Sequence, residues 1–132
     1  MRPQAGSCRG PDYSPEEDLH MNVECELAER HCKPCEGGTS PLSREQAQAS
    51  LEQVPGWELS EDGSTISCRF RRKNFFEIMD FINGMAGIAN AEDHHPDFSA
   101  GYNYCQVSYT THAIDGLSEN DFICAAKINK LP

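Results

Sequence analysis

The stretch "TISCRFRRKNFFEIMDFINGMAGIAN", Thr65 to Asn90, changes its apolar period partway along, and that change decides the fold class. At its start Ile66, Cys68 and Phe70 alternate with Ser67, Arg69 and Arg71, the two-residue period of a strand with one buried face. From Asn74 onward Phe75, Ile78, Met79, Ile82, Met85, Ala86 and Ala89 recur at three- and four-residue steps. That is an apolar helical stripe, and it predicts the longest helix in the chain. Asn74 opens it as an N-cap, with Glu77 completing the capping pattern. A half-buried strand therefore feeds directly into a long amphipathic helix.

Working outward, Trp57-Glu58-Leu59 precedes the turn residues Glu61-Asp62-Gly63, so this segment pairs with the Ile66 strand as a hairpin. Downstream, "CQVSYTT" alternates Cys105, Val107 and Tyr109 against Gln106, Ser108 and Thr110. With the preceding "DFSAGY" it predicts a second hairpin turning near Asn103. Ser43 with Gln46 starts a first helix, which runs to about Gln53 and stops before Pro55-Gly56. Ser118 with Asp121 opens the last, whose buried face is Phe122, Ala125, Ala126 and Ile128. The order is helix-strand-strand-helix-strand-strand-helix. It predicts an α+β fold, a four-stranded antiparallel sheet with three helices on one face. Such a sheet leaves one face bare and its edges open, which predicts a homodimer or homotetramer.

At 132 residues the chain holds one modest core. It carries 21 acidic against 11 basic residues, a net charge of -10, a field that repels phosphate backbones and anionic lipid. The expectation is a protein with no direct nucleic-acid or membrane partner. The N-terminus shows neither the apolar core of a signal peptide nor the look of a transit peptide, so a soluble, cytoplasmic location is expected.

Residues 1–36 differ from the rest, with four basic and eight acidic residues and almost no large apolar ones. They read as a flexible extension containing a short helix around Val23 to Arg30, dispensable for folding up to about Glu36, ahead of a domain over 37–132. Of seven cysteines, Cys68, Cys105 and Cys124 fall in apolar patterns and read as small buried hydrophobes. Cys32 and Cys35 in "HCKPC" form one CxxC, half of a zinc site with no second pair. An extension loop with exposed thiols is preferred there over either zinc or a redox motif.

The chemistry-bearing cluster is "NAEDHHPDF", Asn90 to Phe98, followed by His112. A single His is most often a surface or satisfied core residue, and adjacent ones diverge on an extended chain, which Pro96 favours at His95. Metal ligation by His94, His95 and His112 with Glu92 or Asp93 ranks below acid–base use, because adjacent histidines seldom share an ion and no HExxH is present. Imidazole titrates near neutrality and suits proton transfer to a small molecule.

The region "EDHHPDFSAGYNYCQVSYTTHAIDGLSENDF" resembles the signature of the pterin-4a-carbinolamine dehydratases. His94-His95-Pro96, Tyr102, Thr111-His112 and Gly116-Leu117-Ser118 with Asp121 carry the resemblance, at the family's spacing from His94 to His112. The helix opening "PLS", the "GW" at Trp57, the "FINGMAGIAN" helix and "CKPCEGG" agree as well, so the similarity covers about Cys32 to Leu131. The resemblance implies dehydration of 4a-hydroxytetrahydropterin to quinonoid dihydropterin, in tetrahydrobiopterin recycling, with no metal or organic cofactor. It implies that His94 and His112 act on the 4a-hydroxyl and that His95 binds the pterin. Pro96, Thr111, Ala113 and Ile114 would line the same pocket. Asn90 stands where many members carry an acid, and Glu92 or Asp93 is the candidate to replace its charge. Asp121 is preferred as a helix cap over a catalyst. Two other readings are a dimerisation cofactor of a transcription factor, a role of animal members of the family, and a dehydratase-like protein of cofactor metabolism without the activity; the three histidines together favour the enzyme.

Overall fold

A computed structural model describes residues 27–33 and 40–132. The elements are α1 (Arg44–Leu51), β1 (Glu58–Leu59), β2 (Ile66–Arg71), α2 (Phe75–Glu92), β3 (Asp97–Ala100), β4 (Tyr104–Tyr109), a 3-10 turn (His112–Ile114) and α3 (Glu119–Asn129). The sheet order is β1-β2-β4-β3, antiparallel throughout, so the two hairpins join through β2 and β4. The α+β architecture read from the sequence is the one observed.

Local chemistry explains the boundaries. At α1 the Ser43 hydroxyl accepts from the Gln46 N–H while the Gln46 side chain accepts from the Ser43 N–H, a reciprocal capping box. Asn74 caps α2 by accepting from the Glu77 N–H. Between α1 and β1 the turn places Gly56 at φ 91, in the left-handed region that glycine enters without a Cβ penalty.

Ile66 and Cys68 of β2 and Cys105, Val107 and Tyr109 of β4 point to one face and meet Ala47, Ile78, Phe81, Met85 and Phe122 from the three helices. Trp57 closes one end of this core, edge-on to Phe70, with its indole N–H donating to Asn129 at 2.9 Å. The buried row of α2 is Ile78, Phe81, Met85 and Ala89, rotated slightly from the predicted stripe, so Phe75 stays half exposed and Phe81 takes its place. The opposite sheet face is polar: Ser67 faces Ser108, Arg69 faces Gln106, and the Arg69 guanidinium lies 4.1 Å over the Tyr104 ring. Exposed apolar groups sit instead at the β3 edge (Phe98), the hairpin tip (Tyr102) and the start of α2 (Phe75, Phe76).

The boundary at residue 37 needs correction. Residues 27–33, assigned from sequence to the flexible extension, lie against the domain as a strap. The helical turn at 27–29 buries Leu27 to 5% exposure in the main core, and Lys127 Nζ donates to the Ala28 carbonyl at 2.6 Å. The Lys33 N–H donates to Asn120 Oδ1 at 3.0 Å, and Asn120 Nδ2 donates back to the Lys33 carbonyl. Arg30 pairs with Glu119. One apolar anchor and a set of side-chain clamps suffice where overall composition suggested none. Cys35 and the other residues of the extension lie outside the described residues.

A chain beginning at Glu36 should therefore be destabilised, not neutral. Losing a buried Leu alone removes roughly 1.5–3 kcal/mol. At about 4–8 °C per kcal/mol for a domain of this size, Tm should fall by on the order of 10 °C. Thermal unfolding followed by circular dichroism checks this, and an unchanged Tm would return the strap to a dispensable extension.

Candidate active site

The last turn of α2, the end of β4 and the first turn of α3 converge on one cleft. Asp93 ends α2 in the left-handed conformation (φ 54, ψ 44), a geometry that Asp tolerates better than most residues. The His94 N–H then donates back to the Ala89 carbonyl at 3.1 Å, and the chain turns inward. His94 emerges with its side chain 13% exposed, stacked on the Tyr109 ring at 5.1 Å between centroids. The Tyr109 hydroxyl donates to the His94 carbonyl at 3.1 Å, so both backbone and ring are fixed by β4.

His112 is placed by a different device. Thr111 and Gly116 bridge one another, the Thr111 N–H donating to the Gly116 carbonyl at 2.8 Å, and the 3-10 turn between them presents His112 and Ala113 outward. A Cβ at residue 116 would lie 2.7 Å from Pro41, so only glycine lets the bridge close against that segment.

Asp121 joins the two halves. Its side chain is fully buried, with Oδ2 accepting from the Thr111 hydroxyl at 2.8 Å and from the Ser118 N–H at 2.9 Å. Oδ1 lies 2.6 Å from His94 Nε2. The sequence-based reading as a helix cap is correct for the Ser118 bond but incomplete, because the other oxygen serves His94. Burial, the largest influence, pulls the His94 imidazolium down, but the hydrogen bond and charge of Asp121, with a weaker contribution from Asp93, hold its pKa above the ordinary value. With Nε2 engaged, Nδ1 is the nitrogen left to meet a ligand.

The cleft encloses about 530 Å³ and is lined by His94, His95, Thr111, His112 and Ala113, five of the seven residues expected to bind substrate. Pro96 and Ile114 do not line it. Pro96 belongs to a smaller neighbouring hollow with Asn90 and Phe98, and Ile114 is buried at 8% exposure. Asn90 and His95 line this hollow together, and His95 lines the cleft as well. Glu92 does not replace an acid at His94. Its carboxylate accepts from the Cys32 N–H at 2.7 Å and lies 3.0 Å from His31 Nδ1, anchoring the strap, and these bonds hold its pKa below the usual range against the opposing effect of burial.

The cleft also receives Cys32 and Lys33 from the strap, Asn120 beside them, and Thr110. Nothing in the sequence pattern placed the strap there; only "CKPCEGG", within the resemblance, pointed at that segment. Among the described residues no group of three or more His, Cys, Asp or Glu side chains is arranged to hold a metal ion.

Fold and cleft together define a class: a small α+β protein presenting three imidazoles, one held by a buried carboxylate, to a pocket of small-molecule size. Residues 40–131 match the pterin 4 alpha carbinolamine dehydratase family, and the chain belongs to that family. A protein of Nitrosomonas eutropha named "Putative pterin-4-alpha-carbinolamine dehydratase" is 55% identical over 84% of this chain and 97% of its own length. A like-named protein of Legionella pneumophila is 51% identical over 80% of this chain and 95% of its own. Among solved structures, a transcriptional coactivator/pterin dehydratase from Brucella melitensis superposes with TM-score 0.66 at 29% identity, covering 68% of this chain and 96% of its own. A pterin dehydratase-like RuBisCO assembly factor of the alpha-carboxysome shares the fold at TM-score 0.50 and 16% identity, covering 56% of this chain and 86% of its own.

Replacing Asp121 by Asn should lower the His94 pKa, since the hydrogen bond and charge opposing burial are weakened or lost. Because the wild-type value is raised on folding, its stabilising contribution is fully present below the unfolded value of about 6.5 and fades as pH rises through the folded one. The Tm gap between wild type and Asp121→Asn should therefore be wider near about pH 5.5 than near about pH 8.5. NMR titration of the His94 ring and melting at both pH values check the two statements.

Proposed function

We propose that the protein dehydrates a 4a-hydroxytetrahydropterin to the quinonoid dihydropterin and water. Hydroxide is a poor leaving group, so breakage of the C4a–O bond needs a proton delivered to the oxygen while a ring nitrogen loses one. The observation that carries the reading is the His94–Asp121 pair: a largely buried imidazole whose pKa a buried carboxylate raises, with one nitrogen left over. His94 then serves as general acid through Nδ1, and Asp121 is a positioning residue. His112 approaches the same hydroxyl from the 3-10 turn, while His95, beside Asn90, binds and orients the ring.

Membership of the family supports a lyase. The words coactivator and assembly factor belong to two of the structural relatives and set the competing reading, a binding role without turnover. Such a role requires no proton donor in a cleft, which is why the pair favours the enzyme. The same proposal includes a homo-oligomer. The β3 edge is exposed along its whole length with Phe98 half exposed on it, and a second copy that pairs with this edge would cover both.

On freshly generated 4a-hydroxytetrahydropterin, His94→Ala and His112→Ala should each lower kcat by about a hundredfold, the low end for one proton-transfer group. The double variant should fall to the spontaneous rate while staying folded. His95→Ala should raise KM more than it lowers kcat, as loss of a uniform binding contact does. A folded double variant that still dehydrates at the wild-type rate would sink the acid–base reading. For the oligomer, sedimentation should show Phe98→Asp shifting the protein toward monomer.

A further inference from the structure

Two thiols beside the cleft have no part in the dehydration. Cys32 of the strap and Cys124 of α3 are both free, and their sulfurs lie 3.6 Å apart although the residues are 92 positions apart in sequence. Cys32 is half-buried and forms part of the cleft wall, so a small molecule entering the cleft can reach it. Cys124 is fully buried beneath it, and the Cys32 sulfur also touches the Asn120 carbonyl at 3.6 Å. A disulfide needs the sulfurs at about 2.05 Å, so the pair must close by roughly 1.5 Å. The strap can move that far more easily than α3, because it is a short segment held beyond Leu27 mainly by side-chain hydrogen bonds.

We propose that Cys32 and Cys124 are a reversible disulfide site that staples the strap to α3 and fixes one wall of the cleft. The oxidant class is a low-molecular-weight disulfide. The Cys32 thiolate attacks one of its sulfurs, forming a mixed disulfide and releasing one small thiol. The Cys124 thiolate then attacks the Cys32 sulfur, closing the intramolecular bond and releasing the second. Two protein thiols are oxidised, one small disulfide is reduced to two thiols, and the two protein protons end on those products. Cys124 is placed for the second step, its sulfur lying 3.6 Å from that of Cys32, whereas the hydrogen bond between the two sulfurs and burial hold the Cys32 thiol above its ordinary value and slow the first step. The CxxC spacing would instead suggest that Cys32 pairs with Cys35. Contact with Cys124 favours the long-range partner, and closing so long a loop also restricts the unfolded chain most.

The full chain is incubated with oxidised glutathione, alkylated without reduction, digested and mapped by mass spectrometry. The expected product is a Cys32 peptide linked to the Cys124 peptide, released by dithiothreitol and formed equally by Cys35→Ser. Oxidised Cys35→Ser should melt several degrees above its reduced form. Cys124→Ala should leave Cys32 as the glutathione mixed disulfide or as a free thiol. The proposal is overturned if Cys124 is fully alkylated after oxidation, if Cys32 is linked only to Cys35 or another extension cysteine, or if oxidised Cys35→Ser melts no higher than its reduced form.

Discussion

A carboxylate cannot be buried without donors, and Asp121 is buried completely. Its three partners come from three places: the Ser118 N–H at the start of α3, the Thr111 hydroxyl after β4, and the His94 ring after α2. The position at the N-terminal turn of α3 adds a favourable helix dipole. Satisfying this one group therefore fixes the mutual placement of the elements that carry His94 and His112. The contact that offsets burial of the carboxylate also raises the pKa of the imidazole.

Around this centre the strap forms a second, looser ring. Glu92, Asn120 and Lys127 each turn a side chain toward the backbone of residues 27–33. Asn120 and Glu92 belong to the cleft as well, so the segment that closes its wall is held by residues of the same cleft that His94 and His112 line. α3 is consequently buried over most of its surface, with Ile123 and Cys124 as inaccessible as Phe122. A helix packed only on a sheet would leave those positions wet.

Much of this was legible in the chain. The switch of apolar period after Arg71, the capping residues Ser43, Asn74 and Ser118, and the two turn segments determined the element order, because each acts through neighbours in sequence. The helical face of α2 was read about one row off, since Phe75 and Phe81 both fit an apolar stripe and only the sheet beneath decides which is covered. His94, His95 and His112 were visible as residue types with unusual spacing. The polar outer sheet face was also written in the alternation of β2 and β4.

What the sequence determined by itself is the set of local elements and the identity of the imidazoles, because propensity, capping and period-two or period-3.6 burial are short-range effects. Only the tertiary structure decided that Asp121 and not residue 90, 92 or 93 is the partner of His94, that Pro96 and Ile114 fall outside the cleft, and that Cys32 meets Cys124. Each of these joins segments far apart in the chain: 27 positions separate His94 from Asp121, and 92 separate the two sulfurs. Local pattern carries no information at that range, and the choice belongs to the packing of α2 and α3 on a common sheet.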